Sequence, residues 1–303
     1  MLSIIITSYK ESKTIGRAIE SFINQSIENY ELIVVAPDKE TSNIVEKFKN
    51  TKKSAKQISG VPEIQRISEQ NNKNIKYIKD NGKGKPAALN LAFSKAKGSI
   101  LILSDGDVFV ENDSIYNLLK KFKKDVGAVS GRPISLNQRN NIFGYWSHLL
   151  TDAAHNARKK KKIIECSGYL YAIRNLKLRI PENLLSEDGF ISHLISSEGY
   201  KIEYAPDAKV YVKYPNNFRD WILQKRRSAG GYIQVKKNFK NSRSFSKEST
   251  GIFFVLKYAR NFKEFIWTIL LVFARLYLWL LIFFDIKLRK KEMELWKRIE
   301  SSK

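Results

Sequence analysis

The sequence predicts an α/β fold with a mainly parallel sheet and helices on both faces. Three observations carry the prediction. Short apolar runs of strand length alternate with stretches of helical periodicity through the first 105 residues. The runs are unbroken rather than alternating, as in strands covered on both faces. Each run ends in a polar segment, and the run at residues 100–103 stops abruptly at Asp105-Gly106-Asp107.

In chain order, residues 2–6 read as a strand that exits through Thr7-Ser-Tyr-Lys-Glu11. Residues 13–27 have helical spacing through Ile15, Ala18, Ile19, Phe22 and Ile23. Residues 31–35 form a second strand leaving into Ala36-Pro37-Asp38, and residues 41–49 a helix that Thr41 or Ser42 can cap. Residues 52–74 are polar and lysine-rich, an inserted connection. A third strand at 75–78 leads into the glycine-bearing loop 80–85. Pro86 opens the next helix, 87–97, at the first helical position. The fourth strand then delivers Asp105.

Loops at the C-terminal ends of parallel strands converge on one crevice. They carry Thr7, Tyr9 and Glu11, then Asp38, then Lys83, Gly84 and Lys85, then Asp105 and Asp107. Lysines, carboxylates and a glycine loop suit a nucleoside diphosphate with a divalent cation, since Mg2+ takes one or two carboxylates plus substrate phosphates. Asp105-Gly-Asp107 is equally readable as a polar turn, and the loop lysines singly as solvated charges.

Composition narrows the partners. With 303 residues, 43% hydrophobic, the chain can bury a sizeable core. One cysteine, Cys166, excludes an intramolecular disulfide and a cysteine-rich metal site, and it reads as a packed residue in an apolar strand. His148, His155 and His193 lack ligand spacing and read as structural. The N-terminal run is too short for a signal peptide, which predicts a cytoplasmic catalytic part. A net charge of +24 predicts an anionic partner, nucleic acid or an acidic membrane face. The basic clusters lie in the second half of the chain, and no nucleic-acid-binding motif accompanies them, which favours the membrane.

Five segments, in order, resemble the motifs of family 2 glycosyltransferases: Thr7-Ser-Tyr-Lys-Glu11, the loop and helix from Asp80 to Ala92, Asp105-Gly-Asp107 as a DxD motif, Gly168 to Arg174 as the acceptor-side strand, and Leu185-Ser-Glu-Asp188 as the general-base motif. Gln224-Lys-Arg-Arg227 resembles the QxxRW element of membrane-embedded members, with Ser228 in place of its Trp. Ala36-Pro37-Asp38 departs from the family's paired acids after the second strand. The resemblance runs to about residue 231. It implies a GT-A fold, a nucleotide-sugar donor and inversion by a single displacement. It implies Mg2+ or Mn2+ on Asp105 and Asp107, and Asp188 as catalytic base. Donor contacts fall on Thr7, Tyr9, Glu11, Asp38, Gly84, Lys85, Asp105, Gln224 and Arg227. Gly82 can add a backbone N–H. Ser186-Glu187-Asp188 also reads as the cap and first turn of a helix over 190–198.

Residues 265–284 are apolar apart from Arg275, long enough to span a bilayer. Residues 252–262 before them are amphipathic, and Lys287, Arg289, Lys290, Lys291, Lys297 and Arg298 follow. A basic tail outside would oppose the positive-inside bias, so an in-plane or re-entrant helix competes with a span. Burial against a partner subunit is a third reading. The expected organisation is a catalytic domain over 1–215, a basic interface segment over 216–250 and membrane-associated helices over 251–303. The expected reaction is sugar transfer to a lipid-linked or membrane-proximal hydroxyl. The alternatives are base-free transfer to a polyprenyl phosphate, nucleotidyl transfer, or basic nucleic-acid binding.

Overall fold

The computed structural model describes residues 1–50, 74–239, 257–284 and 301. The connection expected over 52–74, the first half of the amphipathic stretch 252–262 and the basic residues 287–298 fall almost wholly outside them.

Eight strands form one mixed sheet in the order β3-β2-β1-β4-β7-β6-β8-β5. Strands β1 (Leu2–Thr7), β2 (Tyr30–Ala36), β3 (Ile75–Lys79) and β4 (Ile100–Asp105) are parallel, as the apolar runs require. In β1, Ile4 and Ile6 pack into one core and Ile5 into the other. That period of two, with helices on both sides, is why the runs show no polar alternation. Helices α1 (Ile15–Ile23) and α2 (Lys39–Asn50) cover the first face, and α3 (Lys85–Lys95) the second.

Beyond β4 the sheet is no longer parallel. Strand β7 (Leu170–Arg174) runs antiparallel to β4 and to β6 (Val126–Ser135). β8 (Lys201–Val212) runs parallel to β6, and the two-residue β5 (Phe109–Val110) closes the edge against β8. Helix α4 (Ser114–Leu119) packs beside them. Three further helices, α5 (Ile142–Lys159), α7 (Phe218–Asn238) and α8 (Phe262–Phe283), share a separate apolar cluster of Tyr145, Trp146, Trp221, Leu271, Ala274 and Leu278. Helix α6 (Glu187–Ser197) lies on the second face with α3.

Several boundaries differ from expectation. Helix α1 is shorter at both ends, and α2 starts two residues earlier, because Asp38 rather than Thr41 or Ser42 caps it. The Asp38 carboxylate accepts from the Thr41 N–H and hydroxyl, each at 2.8 Å. Helix α3 begins at Lys85 with Gly84 as its N-cap, so Pro86 is its second residue. Gly84 has φ of 107°, a conformation that requires glycine there. Cys166 is buried in the loop before β7, not in a strand, and burial pushes its thiol up to about 12. The histidines hold structure: His148 meets the Asn137 carbonyl, His155 the Tyr204 hydroxyl, and His193 the Glu165 carboxylate.

Candidate active site

The residues at the C-terminal ends of β1 and β4 meet the N-terminus of α6. At the centre is Lys85, the first residue of α3. Its ammonium lies 2.6 Å from Asp105 Oδ1 and 2.7 Å from Glu187 Oε1, and it donates to the Gly168 carbonyl at 3.4 Å. Only 11% of the Lys85 side chain is exposed. Burial opposes its charge, but the two carboxylates outweigh burial and hold the ammonium well above its usual range. Lys85, expected as a contact to the donor diphosphate, is paired here with two protein carboxylates.

Burial raises the Asp105 carboxyl despite Lys85, and Asp107 and Glu187 raise it further. Thr7 Oγ1 lies 3.5 Å from Asp105 Oδ1. Among the described residues no cluster of three or more His, Cys, Asp or Glu could hold a metal by itself. Gly106 lets the first loop come close: a Cβ there would sit 2.6 Å from Glu11 Oε2 and 2.8 Å from Ser8 Oγ. Glu11 is therefore packed under the Asp105–Asp107 turn. Tyr9 is exposed at the crevice mouth, under the Lys10 ammonium. Asp38 is occupied in capping α2, with its second oxygen accepting from the Lys10 N–H at 3.3 Å.

Glu187 and Asp188 occupy the first turn of α6, favoured there by the positive helix end. Ser186 is the N-cap residue, but its hydroxyl donates to Asp188 Oδ1 at 2.6 Å rather than capping the backbone. The Gly189 N–H also donates to that oxygen, at 2.9 Å. The other oxygen, Oδ2, lies beside Gly168, where a Cβ would approach to 2.9 Å. Burial and the adjacent Glu187 raise the Asp188 carboxyl above its ordinary range. Glu187 goes the other way: burial raises it, but the Lys85 ammonium dominates and keeps it low. Two adjacent carboxylates are thus driven apart, one locked as an anion and one made more basic.

Helix α7 closes the far side. Gln224 and Arg227 are half-buried on it, and the Arg227 charge reaches Glu187 and Tyr169. Burial pushes the Tyr169 phenol up to about 12, Asp107 adding to the rise and Arg227 opposing it. The structure therefore brings Thr7, Glu11, Gly84, Lys85, Asp105, Asp107, Asp188 and Arg227 around one crevice.

Two features escaped the sequence reading. Glu187 is an ion-pair partner, not merely a neighbour of Asp188. The second is how α7 braces the segment that carries Asp188. A Cβ on Gly231 would lie 2.3 Å from Ser186 Cβ and 3.0 Å from its backbone N, so only glycine permits this approach. Gln234 accepts from the Leu185 N–H at 2.8 Å and donates to the Asn183 carbonyl at 3.0 Å. The Gly230-Gly231 pair inside a helical stretch was the available signal.

Comparison with known proteins finds related sequences and similar folds. The family model described as "Glycosyl transferase family 2" matches residues 3–176, and "Glycosyl transferase family group 2" matches residues 99–283. A probable glycosyltransferase, YdaM of Bacillus subtilis, is 24% identical over 252 residues. The poly-beta-1,6-N-acetyl-D-glucosamine synthase of Staphylococcus aureus is 22% identical over the same length. Each alignment covers 78% of this chain and 56% of the relative, so the chain spans little more than half of either. Among solved structures, the mannosyltransferase PcManGT from Pyrobaculum calidifontis, in complex with GDP-Man and Mn2+, superposes with a TM-score of 0.56 at 17% identity. That match covers 96% of this chain and 81% of that one. TarS of Staphylococcus aureus gives 0.50 at 18% identity, over 87% of this chain and 46% of that one.

Proposed function

The chain belongs to glycosyltransferase family 2, and from that premise we propose that it moves a sugar from a nucleotide-diphosphate sugar to a lipid-linked or membrane-proximal hydroxyl, inverting the anomeric carbon. The observation that carries this reading is the divergence of Glu187 and Asp188 at one helix start, facing the Asp105–Asp107 turn.

Asp188 acts as the base. Ser186 and the Gly189 N–H hold Oδ1, which leaves Oδ2 to take the acceptor O–H proton. The acceptor oxygen bonds to the anomeric carbon as the bond from that carbon to the diphosphate oxygen breaks. The nucleoside diphosphate leaves. Lys85 keeps Glu187 charged and holds Glu187 and Asp105 in place, and Arg227 adds positive potential on the leaving-group side. Asp105 and Asp107 fit a divalent cation, because the Asp107 charge raises the cost of ionising Asp105 and a cation relieves it. With no third protein ligand among the described residues, donor phosphates would complete the shell. When bound, Mg2+ or Mn2+ supplies neutralising charge to the diphosphate. The GDP-Man and Mn2+ complex of the similarly folded mannosyltransferase supports this donor and cofactor class. The apolar α8 and the basic composition support an acceptor at an anionic membrane, with the catalytic residues on its cytoplasmic side.

The test is a thermal-shift panel of UDP- and GDP-sugars with Mn2+ or Mg2+, followed by transfer assays. A donor raises the unfolding midpoint by mass action, and Asp107→Asn removes the metal-dependent part of the rise. Turnover unchanged by chelation overturns the cation assignment. Substantial turnover by Asp188→Asn overturns the base and points to an acceptor that is already anionic, such as a polyprenyl phosphate.

A further inference from the structure

Helix α8 is the one helix among the described residues long and apolar enough to cross a bilayer. At 22 residues it is about 33 Å long, close to the hydrocarbon thickness of about 30 Å. Its surroundings argue against a crossing. A stripe of Glu264, Thr268, Leu271, Ala274, Leu278 and Ile282 is buried along the whole helix. The stripe packs on α5 and α7, not on lipid.

Both ends are fastened to the same edge of the catalytic sheet. At the start, Glu264 takes two hydrogen bonds from Arg139, each 2.8 Å, and Arg139 lies four residues beyond the end of β6. Thr268 meets the Tyr145 hydroxyl at 2.6 Å, and the Trp267 carbonyl accepts from Trp146 Nε1 at 2.7 Å. Towards the other end, Tyr277 stacks on Phe218 with ring centres 6.2 Å apart, and Phe218 lies six residues beyond the end of β8. The last residues of those strands, Ser135 and Val212, are register partners. Helix α8 therefore lies across the edge where two neighbouring strands finish.

The chain also comes back. Ser301, past the end of α8, donates its N–H to the Asp220 carboxylate at 2.9 Å, and its hydroxyl accepts from the Asn216 N–H at 3.4 Å. Near the middle, Arg275 faces the start of α7, beside Lys225, whose ammonium burial and Arg275 push down to about 8.

The face away from the protein is apolar and open: Ile269, Val272, Phe273, Leu276, Leu280 and Phe283 are all exposed, Phe273 by 63%. Lys257, Arg260 and Lys263 sit at the head of the helix, and the chain as a whole carries +24. Charge thus selects the occupant of that face.

We propose that α8 lies in the plane of an anionic membrane surface, its open face sunk to the acyl boundary, as a one-sided anchor beneath the sheet edge and not as a span. The membrane-proximal acceptor proposed above gives this anchor its purpose, but the geometry stands without it.

The experiment uses the full chain bound to phosphatidylcholine–phosphatidylserine vesicles. A nitroxide is placed in turn by Phe265→Cys, Phe273→Cys and Leu280→Cys in a Cys166→Ser background. Depth is read from the ratio of oxygen to nickel-chelate accessibility. The anchor predicts three depths within about 5 Å of one another, in the range of about 5–10 Å for in-plane helices. A label at Phe273→Cys lying about 10–15 Å deeper than the other two means a span and overturns the proposal. Labels that stay out of lipid, with cross-linking between copies, mean that a second chain covers the face, and also overturn it. Sugar transfer by the unlabelled protein is measured separately. No transfer by it, with equal depths, counts against the proposed donor and acceptor and leaves the anchor standing.

Discussion

Replacing Lys85 by Met tests the centre of the site. The variant keeps the length and apolar stem of the side chain but removes a cation 2.6 Å from Asp105 and 2.7 Å from Glu187. With Lys85 11% and Glu187 8% exposed, solvent cannot replace it. Breaking one partner out of a buried ion pair costs about 3–5 kcal/mol, a large part of a stability of about 5–15 kcal/mol. The pH dependence gives the sharper test. In the native protein Glu187 has a depressed pKa, so its contribution is present above the ordinary carboxylate range and is lost as pH falls. In the variant, Glu187 and Asp105 are buried without a counter-charge, so their folded pKa values lie above the unfolded ones. Such groups stabilise at low pH and lose that stability as pH rises through the folded pKa. Urea unfolding in detergent, followed by tryptophan fluorescence from pH 7.5 to 5, should show the gap between the two proteins narrowing towards acid. Adding Glu187→Gln should recover part of the loss at pH 7.5. A penalty below about 1 kcal/mol at pH 7.5, or a gap that does not depend on pH, would refute the reasoning and return Lys85 to the role of a free donor ligand.

Two further outcomes follow from the base. Gly231→Ala should destabilise the fold by about 1–3 kcal/mol through overpacking against Ser186 and lower the transfer rate; a gain in stability, as helix propensity alone would give, counts against the brace. Because burial and Glu187 raise the Asp188 carboxyl, the acid limb of kcat/KM should lie above the ordinary Asp value of about 3.9, and Glu187→Gln should move it down. A limb at or below about 3.9 in the native enzyme argues against Asp188 as the base.

The parallel half of the sheet was legible because β1, β2 and β4 are apolar runs covered on both faces, with the partly exposed edge strand β3 following from the strand–helix alternation. Ile100 to Leu103 ending at Asp105 is the clearest case. Of the other half, β7 was legible at Gly168 to Arg174, whereas β8 with its half-buried Tyr204 and Tyr211 reads neither as a buried run nor as clean alternation. Asp105 and Asp188 could be singled out in the sequence only through the family resemblance, because a carboxylate in a turn or in the first turn of a helix is also an ordinary structural residue. Lys85 was placed at the crevice, but its two carboxylate partners were not foreseen. A lysine in a glycine loop announces a charge, and only the register of α3 against α6 decides which anions it meets. Asp38 shows the converse, a carboxylate in the crevice loops whose oxygens the α2 backbone and Lys10 already use.

Helix α7 has a practical consequence for anyone who wants a water-soluble enzyme. Its first turns hold α8 through Trp221 and Phe218, while its last turns hold the Asp188 loop through Gly231 and Gln234. Trimming the greasy end at residue 215 would take away the clasp on the base along with the anchor, and leave a catalyst with a loose hinge. A shortened version should instead stop after residue 239, with polar residues put at Trp221 and Ile222 where α8 used to lie.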